Sequence, residues 1–144
     1  MNRREVHYHL RRLPTCVVVV AAVPGELEVE LVPHIVHHSP TGMEFGYAGS
    51  GPADLALSLL TFHLQADPVR VKLILTRGVR PPHLDELDPA VRAVRLYQAF
   101  KDHALAGRFA TEHGIDLTGW SISQWIEARE RKEAEAAKII ERTP

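Results

Sequence analysis

The first third of the chain alternates in polarity. Val6, Tyr8 and Leu10 fall on one side of an extended segment and Glu5, His7 and His9 on the other, which predicts a half-buried strand over residues 5–10. Arg11 and Arg12 lead to a turn near Pro14. Val17 to Val23 is a continuous apolar run, short and rich in β-branched residues, and predicts a fully buried strand. Pro24-Gly25 is a turn pair, after which Leu27, Val29 and Leu31 alternate with Glu26, Glu28 and Glu30. The two runs therefore predict a hairpin about Pro24-Gly25, its second strand half-exposed with an acidic face toward water.

From Ser39 to Pro52 the chain reads as a glycine-rich loop, and the pattern then turns helical. Gly51 and Pro52 suit an N-cap and first helical position, and Asp54 falls in the first turn, where the helix dipole favours a carboxylate. Leu55, Leu59, Leu60, Phe62 and His63 carry that helix to about Gln65. Val69–Leu75 alternates again and predicts a strand, and Pro81-Pro82 is a break. Asp88-Pro89 starts another helix, with Val91, Val94, Tyr97 and Phe100 on one face. In the last helix Ser121 and Gln124 read as a capping box, with Trp120 and Trp125 at the hydrophobic-staple positions. Beyond Ile126 the pattern is charged from Glu127 to Arg142, apart from alanines and Ile139-Ile140. The expected architecture is a single α+β domain. Residues 1–38 form an N-terminal antiparallel sheet, 39–52 the glycine-rich loop, 53–126 a mainly helical part with about three helices on the sheet, and 127–144 a charged helical tail.

Composition narrows the setting. Of 144 residues, 45% are hydrophobic and 24% charged, which excludes wholesale disorder. The formal net charge is −1, and neither half of the chain departs from neutrality by more than two charges, so direct nucleic-acid binding is not expected. Cys16 is the single cysteine, which excludes an internal disulfide and predicts a cytoplasmic protein. The longest apolar run is too short to span a bilayer, so no membrane association is expected. Asn2 is the only Asn, and Gln, Met and Cys are scarce; this fits either a thermophilic source or a GC-rich genome.

The most distinctive stretch runs His38-Ser39-Pro40-Thr41-Gly42-Met43-Glu44-Phe45-Gly46-Tyr47-Ala48-Gly49-Ser50-Gly51-Pro52-Ala53-Asp54-Leu55-Ala56-Leu57. It resembles a family of small prokaryotic and phage proteins whose hallmark is roughly HSPTGFEWGYGGSGPADLALAIL. A second similar patch is Leu96-Tyr97-Gln98-Ala99-Phe100-Lys101, followed by Trp120-Ser121-Ile122 and Trp125, so the resemblance covers about His38 to Ile126. Phe45 stands where Trp is usual, and Ala48 replaces a glycine, which would strain the chain if that position needs positive φ. The resemblance implies a phage or mobile-element setting and no particular activity.

Several residues invite chemistry. Gly49, Ser50 and Gly51 before a helix could hold an anion on free backbone N–H groups, although no Lys-Ser or Lys-Thr follows and close packing explains the glycines more simply. Ser50 is the obvious serine nucleophile, with His38 or His63 as base, but its surroundings lack the Gly-x-Ser-x-Gly spacing. His7 with His9, and His34, His37 and His38 with Glu44, invite a metal, yet no ligand motif is present; no metal and no cofactor are expected. Cys16 reads as an inert core thiol.

These readings favour a non-enzymatic protein-binding regulator that docks on a host machine; RNA polymerase with its sigma factor and a CRISPR effector are the two partners the setting suggests. The alternative is a nucleotide- or phosphate-binding domain using the glycine-rich loop. Partner contact is expected on the charged helix, through Arg129, Arg131, Lys132, Glu135, Lys138, Ile139 and Ile140, before the loop. There Met43, Phe45 and Tyr47 alternate and would act as an exposed edge strand, unless the aromatics pack beneath the loop.

Overall fold

A computed structural model describes residues 2–78, 85–107 and 113–143. A short 3-10 turn, Arg3–Glu5, precedes strand β1 (His7–Arg12), which is followed by β2 (Val17–Ala22) and β3 (Val29–Leu31). Three helices come next: α1 (Ser50–His63), α2 (Pro68–Arg77) and α3 (Pro89–Phe100), the last running on into a π-helical turn, Lys101–Leu105. Strand β4 (Gly114–Thr118) then leads directly into α4 (Gly119–Arg142). The fold is α+β, with a four-stranded antiparallel sheet in the order β3-β2-β1-β4. The proline break at residues 81–82 lies outside the described residues.

The sheet has one covered face. Tyr8, Leu10, Val17, Val19, Ala21 and Ile115 are buried and point to the helices, whereas His7, His9, Val18, Val20 and Ala22 on the other face are only half-buried. The alternation expected in β1 is therefore present, but β2 is not buried on both faces: it alternates too, with Val18, Val20 and Ala22 only half-buried on the far side of the sheet. The hairpin at Pro24-Gly25 forms, and β3 is exposed along its whole length, Val29 and Leu31 included. Helix α1 lies in the middle, with twelve of its fourteen residues buried. It begins at Ser50 with Gly49 as N-cap, two residues before the expected Gly51 cap and Pro52 start.

Two elements differ from their sequence pattern. Residues 69–75 are helix, not strand. Asp67 caps α2 by accepting the Val69 N–H at 2.9 Å, Pro68 occupies its first turn, and Gly78 closes it in the left-handed conformation at φ 58°. Val71 and Ile74, three apart, are the buried face. The stretch 53–126 also contains a strand, since β4 pairs with β1 at the sheet edge.

The start of α4 lies three residues earlier than the Ser121 box implies. Thr118 is the N-cap: its hydroxyl accepts the Ser121 N–H at 3.1 Å, and Ser121 Oγ donates back to the Thr118 carbonyl at 2.8 Å. The staple positions are thereby Leu117, packed against the core, and Ile122, within it, and not Trp120 and Trp125. Trp120 is 59% exposed; Trp125 packs edge-on against Phe100 and stacks on His103. Thr118→Ala should cost about 1 kcal/mol in denaturant unfolding, and Ser121→Ala clearly less.

Candidate functional site

The segment leading into the glycine-rich loop, His34 to Ser39, is held to α1 by the Asp54 side chain. Asp54 is fully buried, and its two oxygens accept from His34 Nε2 at 2.9 Å and from the backbone N–H groups of His38, Ser39 and His37 at 2.8, 3.0 and 3.2 Å. Ser58, one turn on, accepts the Ile35 N–H at 2.8 Å. Burial pushes the Asp54 carboxyl up, but these hydrogen bonds outweigh it and hold the group below its ordinary range. His38 Nε2 in turn meets the Tyr97 hydroxyl at 2.8 Å. With four donors on one carboxylate, Asp54 has a clamp's chemistry. It is engaged with the loop and does not sit as a free charge on the helix dipole.

The aromatic residues of the loop divide. Phe45 is fully buried, with the Arg12 guanidinium 4.1 Å over its ring, and so offers no surface to a partner. Met43 is buried as well and bridges to Val17, so this segment is no exposed edge strand. Tyr47 is 47% exposed and lies across the start of α1; a Cβ on Gly49 would fall 2.5 Å from its ring, and one on Gly51 2.9 Å from its hydroxyl and 2.7 Å from Glu44 Cβ. The glycines thus admit a packed ring and carboxylate side chain over the helix N-terminus. Ala48 has no positive φ, so its methyl group carries no strain.

A second polar network joins three elements far apart in sequence. His63, the last residue of α1, meets the Tyr8 hydroxyl with Nδ1 and Ser123 Oγ with Nε2, each at 2.9 Å. Tyr8 comes from β1 and Ser123 from the second turn of α4. The serine that His63 reaches is therefore Ser123 and not Ser50. Burial, helped by the positive charges of Arg3, Arg4 and Arg92, lowers the His63 pKa to about 4, so the imidazole is neutral near pH 7. Burial raises that of Tyr8. The pocket outside this relay holds about 360 Å³ and is lined by Arg3, Arg4, Arg92, Ser123 and Gln65, among others.

The neutral His63 makes the fold acid-sensitive. Below about pH 6.5 the unfolded chain takes up a proton here that the native state refuses until about pH 4. Stability should therefore fall by about 3 kcal/mol as pH drops through that window. His63→Gln should flatten this part of the stability profile, measured by urea unfolding at half-unit pH steps.

The charged helix presents most of the residues singled out for partner contact. Arg129, Arg131, Lys132 and Glu135 line a groove of about 550 Å³ together with His103 and Trp125. Glu130 and Glu133 tie α4 back to α3, Glu130 to Arg92 at 2.7 Å and also to Arg95, and Glu133 to Arg95 at 3.2 Å. From Ala134 to Arg142, Lys138 included, every residue is exposed, with Ile139 and Ile140 at 66% and 74%. A third surface was not legible in the sequence: Val36, Val69 and Leu73 are exposed around a groove of about 460 Å³. It arises because residues 68–77 are helical and set Val69 and Leu73 one turn apart.

Among the described residues no group of three His, Cys, Asp or Glu side chains is arranged to hold a metal ion, and no helix is long and apolar enough to cross a membrane. His7 and His9 share a strand face as expected, and His9 bonds Asp116 at 2.8 Å.

The model of a family of unknown function, DUF6166, matches residues 8–75. The matched stretch runs from β1 to α2 and contains the whole Asp54 clamp. Over it the chain is similar to a family without an assigned activity; β4, α4 and the Ser123 end of the relay lie outside it. No curated protein and no solved structure is significantly similar to the chain.

Proposed function

We propose that this chain is a non-enzymatic protein-binding regulator whose last helix is the part offered to a partner. The observation that supports this reading is the groove along α4, with Trp125 stacked on His103 and Arg129, Arg131, Lys132 and Glu135 around it. Tryptophan and arginine are the side chains most often found to dominate binding energy at protein interfaces. Beyond the groove, Ile139 and Ile140 stand in water at the end of a helix otherwise polar there, and burying each would contribute about 2 kcal/mol. The resemblance to phage proteins supplies the setting: a cytoplasmic regulator of a host machine, with RNA polymerase holoenzyme and a CRISPR effector the first partners to test. An anion at Gly49–Gly51 would have to displace the Tyr47 ring, so the loop-based phosphate reading has less support.

The test uses photo-crosslinking side chains placed at Lys132 and Ile139 of the full chain, with each purified machine. The expected result is a crosslink to one subunit, lost in an Ile139→Ser/Ile140→Ser variant of unchanged melting temperature. Binding with no crosslink from α4, or full binding by that variant, would overturn the assignment of the surface.

A further inference from the structure

The pocket beside His63 has the chemistry of an anion site, and the geometry points to a phosphate group as its ligand, free or carried on a small molecule. Three arginines line it, Arg3 and Arg4 from the N-terminal turn and Arg92 from α3. Asn2, Gln65 and Ser123 add neutral hydrogen-bonding groups; among the described lining side chains Glu127 is the one acidic residue, and Glu130 pairs with the lining Arg92. Charge in the pocket is thus positive while His63 is neutral.

The ion pairs around the rim leave donors available. Arg4 reaches Glu127 through one terminal nitrogen. Arg92 engages Glu130 through Nε at 3.1 Å and Nη2 at 2.7 Å. Each guanidinium carries five N–H donors in a planar fork, so both retain N–H groups that these contacts do not use. Arginine forks match the oxygens of a phosphate better than any other side chain. Arg3 lies with its guanidinium 4.1 Å over the Phe62 ring, which restrains its side chain.

The backbone holds these groups in place. Asn2 Oδ1 caps the N-terminal turn by accepting the Arg4 N–H at 3.1 Å, and the Gly119 N–H donates to the Val6 carbonyl at 2.6 Å, docking the turn on the start of α4. Ser123, four residues beyond Gly119, faces the same junction and bonds the one buried histidine of the pocket. His63 is thus a built-in reporter: an anion bound against the three arginines favours its protonated form and raises its pKa.

The experiment titrates the full chain with inorganic phosphate and follows the His63 ring by NMR, with sodium chloride at matched ionic strength as control. Phosphate at millimolar concentration is expected to raise the His63 pKa and shift the Ser123 and Arg4 amides saturably. Arg4→Gln and Arg92→Gln should each weaken binding about tenfold, as loss of a charge-assisted hydrogen-bond donor does. Arg77→Gln, at the end of α2, removes the same charge elsewhere and should leave binding unchanged. A phosphomonoester that binds at least tenfold more tightly than inorganic phosphate would identify a carried phosphate; equal affinity would identify the free ion. Overturning results are a His63 signal no more responsive to phosphate than to chloride, or a response that Arg77→Gln weakens as much as Arg92→Gln does.

Discussion

Asp54→Ala is expected to lower the stability of the fold by about 4 kcal/mol, since it strands four hydrogen-bond donors, each costing about 1–3 kcal/mol when left buried without a partner. The carboxylate is fully buried, and its loss strands the N–H groups of His37, His38 and Ser39 together with His34 Nε2. Each stranded donor carries its own desolvation cost. Against a total stability of about 5–15 kcal/mol, this is a large fraction. Asp54→Asn keeps the shape but turns one acceptor into a donor, and should recover about half of the loss. Ser58→Ala, which strands only the Ile35 N–H, should cost about 1–2 kcal/mol. Urea unfolding at pH 7 measures all three, and amide exchange at His37–Ser39 reads the loop directly. A loss of under about 1 kcal/mol in Asp54→Ala would mean that the loop is held by other contacts.

Gly119→Ala is expected to cost about 3 kcal/mol, at the upper end of the usual overpacking range. Its φ is not in the left-handed region, so the effect is purely steric. A Cβ there would land on the Arg3 carbonyl oxygen, 2.9 Å from the carbonyl carbon and 3.0 Å from Val6 O. Backbone cannot swing away as the end of a side chain can. Either the N-terminal turn lifts off α4, or the Gly119–Val6 hydrogen bond lengthens. For a chain of this size that stability change corresponds to a melting temperature about 10 °C lower. Gly25→Ala makes the contrast: a Cβ meets nothing within 4 Å, and its cost comes only from a φ of +86°. A Gly119→Ala variant that melts like the wild type would show that the turn is free to move from α4. Because the turn carries Arg3 and Arg4, the variant should also weaken phosphate binding.

Much of the local structure was legible because local rules decide it. The side-chain alternation of β1, the Pro24-Gly25 hairpin and the Asp88-Pro89 start of α3 each follow from a few neighbouring residues. The same Asp-Pro signature stands at Asp67-Pro68, ahead of a seven-residue alternating run that fits a strand equally well. Tertiary packing resolved that ambiguity: Val71 and Ile74 find a core one helical turn apart. The α4 cap shows a subtler failure. Both Thr118 and Ser121 are good N-caps, and the choice falls to Thr118 because Leu117 and Ile122 then reach the core together.

The sequence by itself determined an α+β chain, the main helices, the inward residues of β1 and the charged end of α4. Only the tertiary structure decided which strand closes the sheet, since β4 has two apolar residues and pairs with a strand about a hundred positions earlier. It also brought Tyr8, His63 and Ser123 into one relay and set Arg3, Arg4 and Arg92 around it. No periodicity records such a meeting, because hydrogen bonds and charge act through distance in space, and chain separation enters only as the entropy of closing the loop.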